Sequence, residues 1–217
     1  MVNCCRSIDL GGVRRKKAFL GSLTSSIREA AIRLTHGVNG RVLDVGCGNG
    51  LLFVEAKASG INPGDYLGLD SSLELLLEAK EIFRDNHMSG IPLIQGDGFL
   101  LPIKNGSIAR VLCVNTLFNL KSKKEVMEFL KEMGRSCTDN GKIIFDFRNK
   151  YNPGIRLKYF WHSLWGNFPT RAYFIKEIKV ILEKFGFRIF RIVPVGKPHK
   201  LLALAYLVEA GRAGSDP

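Results

Sequence analysis

Apolar positions recur along this chain with two different periods. Short apolar runs at residues 41–45, 66–70, 93–98, 110–115 and 142–147 read as strands, and the first of them suits burial on both faces. Between them the spacing turns helical. Residues 17–34 form one such segment, and Leu73, Leu76 and Leu77, followed less regularly by Ile82 and Phe83, mark a helix over about 72–87. Val126, Phe129, Leu130 and Met133 fall at i, i+3, i+4 and i+7. Ile178, Ile181, Leu182 and Phe185 repeat that stripe and stop at Gly186, a residue suited to ending a helix. Two further runs, 188–195 and 201–208, flank Gly196-Lys197-Pro198 and read as an antiparallel hairpin. Strand and helix alternate, which predicts a doubly wound α/β sheet, mostly parallel, closed by that hairpin.

The corner after the first strand is the most specific local pattern. Arg41-Val42-Leu43-Asp44-Val45 runs into Gly46-Cys47-Gly48-Asn49-Gly50, with three glycines at alternate positions. Glycine lets the backbone turn sharply and lie bare against a bound molecule. Such a turn, opening into a helix near Asn49, points to a nucleoside-containing ligand at the strand end. The dinucleotide fingerprint needs G-x-G-x-x-G, whereas here the third glycine arrives one residue early.

On these residues the chain resembles the class I S-adenosylmethionine-dependent methyltransferases, whose first motif is similar to Val42 through Gly50. The resemblance implies a seven-stranded Rossmann-like sheet, S-adenosyl-L-methionine as cofactor and S-adenosyl-L-homocysteine as product. It assigns Asp44, Gly46, Cys47, Gly48, Asn49 and Gly50 to the cofactor. Asp70 ends the second strand 20 residues beyond Gly50, where a carboxylate can accept from both ribose hydroxyls, with Ser71 beside it; a cap of the following helix is its other reading. The resemblance places Asp97 near the adenine amine, with Gly98 and Phe99 reading the base edge; a plain Asp-Gly turn is the alternative. Asn115 falls where the fourth strand passes the sulfonium. The match runs over about residues 40–147. Asn115-Thr116-Leu117-Phe118 departs from the Asp/Asn-Pro-Pro-Tyr/Phe motif of enzymes that methylate base amines, which argues against that chemistry.

Composition fits one domain, read as residues 1–210, with a cap helix over about 15–36 and a tail at 211–217 expected to be disordered. The 217 residues are 46% hydrophobic and 24% charged. Neither a signal peptide nor a spanning run is evident, and five cysteines without metal-ligand spacing read as reduced thiols, so a cytoplasmic protein without a metal site is expected. The net charge of +12 is unevenly placed. Residues 42–141 hold 10 Lys and Arg against 13 Asp and Glu, whereas 1–41 hold 8 against 2 and 142–200 hold 13 against 3. The basic surplus thus lies outside the cofactor half and suits an anionic substrate or surface.

Residues 148–170 are too long and aromatic for a plain connector and read as a substrate-side insertion. Asp146-Phe147-Arg148-Asn149 is similar to the Asp-x-Arg-Asn segment of glycine N-methyltransferases, which implies Arg148 as the holder of an acidic group. Trp161 is a second substrate-side candidate. His162 and Tyr151 are the candidate bases, with Asp146 a weaker one. Partners compatible with the sequence are a small-molecule or lipid-like acceptor, a nucleic acid drawn by charge, and a peripheral membrane or dimer contact through Trp and Tyr mixed with Lys and Arg. Three other readings remain: an RNA-directed methyltransferase, a NAD-type oxidoreductase and an inactive cofactor-binding regulatory subunit.

Overall fold

The computed structural model describes residues 19–88, 90–165, 171–196 and 200–214. Among the described residues eight strands form one sheet: β1 (Val42–Val45), β2 (Tyr66–Asp70), β3 (Leu93–Gln95), β4 (Ile108–Cys113), β5 (Cys137–Asn149), β6 (Ala172–Tyr173), β7 (Phe187–Val195) and β8 (Ala205–Arg212). The α-helices among the described residues are α1 (Phe19–Thr35), α2 (Leu51–Ala58), α3 (Leu73–Asp85), α4 (Lys123–Ser136), α5 (Pro153–Trp165) and α6 (Ile175–Glu183). The sheet order is β3-β2-β1-β4-β5-β8-β7, seven strands as the family resemblance implies, with the short β6 added beside β5. β1 to β5 pair in parallel, and β8 runs antiparallel between β5 and β7. The order reverses at β1, so the ends of β1 and β4 flank a crevice where this kind of sheet binds ligands.

Strand alternation divides the core between the two faces. Ile143, Phe145 and Phe147 of β5 pack with the α4 and α6 residues Phe129, Leu130, Met133 and Ile178. Ile144 packs on the opposite face with Ile27 and Ala31 of α1 and Phe53 of α2. The α4 stripe is buried throughout, and Ser122 caps the helix by accepting from the Glu125 N–H at 3.1 Å. Burial of such side chains is worth roughly 1.5–3 kcal/mol each, far more than the cap's roughly 1 kcal/mol, so packing decides where α4 lies. α1 is fastened at its end by a 2.7 Å hydrogen bond between the Thr35 and Tyr66 hydroxyls, and along its length by the Arg28–Glu55 ion pair.

The hairpin differs from the sequence expectation. Its second strand is Ala205–Arg212, not 201–208, and residues 200–202 form a 3-10 turn with Leu201 and Leu202 exposed. The reason is a pair of side-chain amides. Asn149 Nδ2 donates to the Leu201 and Ala203 carbonyls, and Asn152 Nδ2 donates to that of Leu202, so this backbone is satisfied without a ladder. β8 also runs two residues into the expected 211–217 tail, because Gly211 pairs with Lys142 on one side and Arg188 on the other. β7 is one edge of the sheet, and it carries Pro194, a residue that edge strands tolerate.

The 148–170 segment begins inside β5, whose last residues are Arg148 and Asn149. It continues as α5, and β6, just beyond the segment, pairs in parallel with Arg148 and Asn149. The opposite edge of Arg148 is taken by Ala205 of β8, so β6 occupies the side of β5 that β4 leaves at Cys113. Among the described residues no helix is long and apolar enough to cross a membrane, and Cys47, Cys113 and Cys137 are buried free thiols.

Candidate functional site

The glycine corner is held by its own backbone. Gly46 and Cys47 both donate N–H to the Leu69 carbonyl, at 2.7 and 3.0 Å, which ties the end of β1 to the end of β2. Gly46, Gly48 and Gly50 have φ of 78°, 55° and 74°, a left-handed conformation that side chains disfavour. A side chain is also sterically barred at two of the three. A Cβ at Gly46 would lie 2.5 Å from Thr116 Oγ1, and one at Gly50 would lie 2.5 Å from the Phe83 ring. At Gly48 nothing lies within 4 Å, so the middle of the turn faces open space.

Asp70 joins the turn to the next helix. Its Oδ2 accepts from the Gly48 N–H at 2.8 Å, and its Oδ1 accepts from the Ser72 N–H at 2.9 Å. Ser72 in turn caps α3 by accepting from the Leu75 N–H. Each Asp70 oxygen keeps acceptor capacity beyond its backbone bond. Asp44, in the middle of β1, is 2% exposed, and its Oδ1 has no hydrogen-bond partner among the described residues. Burial pushes the Asp44 carboxyl up to about 7, the Asp70 charge adds to this, and Arg28 of α1 pulls it back.

Further along the crevice, Asp97 is exposed, and its Oδ1 accepts from the Phe99 N–H at 2.9 Å, which closes a short turn. Phe99 is 38% exposed and packs edge-on against Phe129. Asn49 points elsewhere. Its amide donates to Glu78 on α3 at 2.9 Å, so its side chain braces the helix pair at the rim of the turn. Ser71 is exposed beside Asp70, with its carbonyl accepting from Gln95. Cys47 is buried, and burial pushes its thiol up.

At the end of β4 the backbone turns left-handed at Asn115, φ 59°, a conformation asparagine tolerates better than most residues. Its N–H donates to Asp146 Oδ1, its Oδ1 accepts from Arg148 Nη2 at 3.1 Å, and its Nδ2 donates to the Thr24 carbonyl of α1 at 3.3 Å. Thr116 donates to the Gly46 carbonyl at 3.4 Å, which links this corner to the glycine turn. Asp146 is fully buried, so its carboxyl is pushed up by burial and held back by Arg148 and the Asn115 N–H.

Arg148 therefore sits differently from its sequence reading as the holder of a substrate acid. Its side chain is 5% exposed, ion-paired with Asp146, bonded to Asn115 and stacked on Phe118 with the guanidinium carbon 4.5 Å from the ring centre. Burial pushes the phenol of Tyr159 on α5 up, and the Arg148 charge pulls it back. The guanidinium braces the ends of β4 and β5 from within. Tyr151 is exposed and packs on Phe174 at 4.5 Å, and Trp161 is exposed on α5. The side chain of His162 lies outside the described residues.

Arg28, Thr116 and Tyr159 act on the candidate site residues Asp44, Gly46 and Arg148, although the sequence analysis gave none of them a role. The signal for Arg28 is the acid inside an apolar strand, which needs a countercharge. That for Thr116 is the need to close the space beside Gly46.

The arrangement fits a nucleoside ligand. It offers a bare turn with open space at Gly48, a carboxylate fixed beside it, an unpartnered buried carboxylate oxygen and an exposed acid at the rim. Residues 42–141 match the model of a methyltransferase domain family. The demethylmenaquinone methyltransferase of Oceanobacillus iheyensis is 29% identical over 102 residues, 47% of this chain and 42% of that protein. A putative methyltransferase of Encephalitozoon cuniculi is 32% identical over 103 residues, 48% of this chain and 42% of that protein. The chain thus spans less than half the length of these relatives. Among solved structures, magnesium protoporphyrin IX methyltransferase from Synechocystis PCC 6803 with bound SAH superposes with a TM-score of 0.70 at 19% identity, over 89% of this chain and 84% of that one. CcbJ methyltransferase from Streptomyces caelestis gives 0.70 at 14% identity, over 88% and 96%. At such identity these likenesses describe the fold.

Proposed function

We propose that this chain, whose residues 42–141 form a domain of the class I S-adenosylmethionine-dependent methyltransferase family, transfers a methyl group from S-adenosylmethionine to a small-molecule acceptor. The observation that carries the reading is the bond from the Gly48 N–H to Asp70. It fixes a bare left-handed turn and a ribose-side carboxylate as one rigid element. The domain is read as extending past the matched residues, from α1 to β8.

Gly46, Gly48 and Gly50 supply the bare backbone for the amino-acid end and ribose, Asp70 the acceptors for the ribose hydroxyls, and Asp97 with the Gly98–Phe99 backbone the adenine edge. Asp44 offers its unpartnered oxygen as an acceptor behind the turn. Bound in this crevice, the cofactor supplies an electrophilic methyl group on a sulfonium, a good leaving group. The protein's task is then to align an acceptor in line with it and exclude water, and alignment alone can supply much of the acceleration. Asn115 lies at that point of the crevice and is held from three sides by Asp146, Arg148 and Thr24. We assign Arg148 to positioning Asn115, since its fork is already occupied. A small-molecule acceptor is supported by the relatives, whose names refer to a demethylated menaquinone and to magnesium protoporphyrin IX.

Calorimetric titration with S-adenosylmethionine and with NAD tests the cofactor. Saturable heat with the first and none with the second is the expected outcome. Absence of both heat and a thermal shift with S-adenosylmethionine would overturn the reading. Turnover on a panel of small-molecule acceptors then separates an enzyme from a cofactor-binding regulator.

A further inference from the structure

A second cavity of about 670 Å³ lies away from the glycine turn, between α5, β6 and the starts of α4 and α6. This is the size of a small-molecule site. Four cationic side chains line it, Lys123, Lys150, Arg156 and Arg171, against one lining carboxylate, Glu177. Lys123 is offset by Glu177 at 2.5 Å. Lys150 lies over the Phe174 ring at 4.9 Å and also feels the charge of Glu177, which it shares with Lys123. Arg156 and Arg171 are exposed and have no anionic partner among the described residues.

The backbone fixes these groups. The Arg171 N–H donates to the Phe118 carbonyl, and the Lys150 N–H donates to the Tyr173 carbonyl, both at 3.1 Å. Arg171 immediately precedes β6, and it and Tyr173 both line the cavity. The second observation is Tyr173 itself. It is 2% exposed and lines the cavity, yet its hydroxyl has no hydrogen-bond partner among the described residues. An unmet buried hydroxyl is destabilising, and a bound acceptor atom would relieve that penalty. Burial pushes this phenol up, Arg171 pulls it back and Glu177 and Glu125 raise it further, so it is protonated and able to donate.

We propose that this cavity is an anion-recognition site, in which Arg156, Arg171, Lys150 and the Tyr173 hydroxyl hold a phosphate or carboxylate group of the methyl acceptor. As a statement about the acceptor it rests on the methyltransferase reading; as a binding site it does not. Tyr159 joins the two regions. It lines the cavity and feels the charge of Arg148, which bonds to Asn115 in the crevice. An acceptor anchored by its anion would thus lie one side-chain layer from the methyl-donor crevice. This moves the anion contact from buried Arg148 to the exposed arginines of the insertion.

The test titrates pyrophosphate and, separately, succinate into the full chain, following heat and backbone amide shifts, with S-adenosylmethionine titrated in parallel. We expect saturable binding of at least one probe, and its identity distinguishes phosphate from carboxylate. Arg156→Gln with Arg171→Gln should weaken that binding at least about tenfold, and Tyr173→Phe several-fold without loss of thermal stability. A charge-matched control, Lys179→Gln with Arg191→Gln, should leave it unchanged. No saturable binding, or equal losses in the control, overturns the site even if S-adenosylmethionine binds normally. Anion binding with no S-adenosylmethionine binding leaves the site standing and removes the methyltransferase reading. An acceptor later found to turn over with unchanged KM in the double arginine variant would overturn the link to the acceptor.

Discussion

The Gly48 N–H donates to Asp70 Oδ2 at 2.8 Å, so the glycine turn after β1 and the acid that ends β2 form one element. Removing the acid loosens the turn and removes the ribose acceptors together. Asp70→Ala should therefore weaken S-adenosylmethionine binding by at least about tenfold and cost about 1–3 kcal/mol of stability, since the Gly48 and Ser72 N–H groups lose their partner. Calorimetry and chemical denaturation read the two effects, and an unchanged dissociation constant would count against the ribose assignment.

The glycines of the turn should separate binding from folding. Gly50→Ala drives a Cβ to 2.5 Å from the Phe83 ring and should cost about 1–3 kcal/mol from overpacking, beyond the left-handed strain of about 1–2 kcal/mol. Gly48→Ala meets open space and carries only the strain, but it places a methyl group on the ligand-facing side. It should keep most of the stability and lose most of the cofactor affinity. Equal melting temperatures for the two variants would contradict this packing.

Asp44 should give a signed pH dependence. Its carboxyl is pushed up to about 7 in the fold, against about 3.9 in an unfolded chain. Between these values the folded state keeps a proton that the unfolded state has lost. The group's contribution therefore favours folding at low pH, fades as pH rises through this window and leaves a fixed penalty above it. Asp44→Asn removes the penalty, so its melting temperature relative to wild type should climb from about pH 4 to about pH 7 and then level off. A flat difference across that range would overturn the assignment.

The Asp146–Arg148 pair should behave as a buried couple. Arg148→Met leaves Asp146 without its countercharge and should cost about 3–5 kcal/mol near neutral pH, less in acid, where the carboxyl takes up a proton. Asp146→Asn combined with Arg148→Met should recover a large part of that loss. Additive losses in the double-mutant cycle would show that the two residues act separately.

Much of the cofactor half was legible because it is written in local spacing. The run from Val42 to Gly50, the acid 20 residues on and the i, i+3, i+4 stripe of α4 each fix an element whatever lies around it. The Asp70 expectation was open between ribose acceptor and helix cap, and in the structure its two oxygens serve the turn and the start of α3. Asn49 was less legible: its position in the motif suggested the cofactor, while its amide is drawn to Glu78, 29 residues away. The hairpin slipped for a similar reason. The apolar run at 201–208 looked like a strand throughout, but the side chains of Asn149 and Asn152 satisfy its first carbonyls.

The sequence by itself determined the alternation of strands and helices, the left-handed glycine corner, the acid at the end of β2 and the Asp97 turn just beyond β3, because these depend on short-range sterics and periodic burial. Only the tertiary structure decided which charges are spent and which are free. Arg148, an attractive substrate contact in the sequence, is enclosed by Asp146, Asn115 and Phe118. Arg156 and Arg171, unremarkable there, stand with the unmet Tyr173 hydroxyl around a cavity. Whether an ionic side chain meets a countercharge depends on residues tens of positions away, and only the folded chain brings them within a few ångströms.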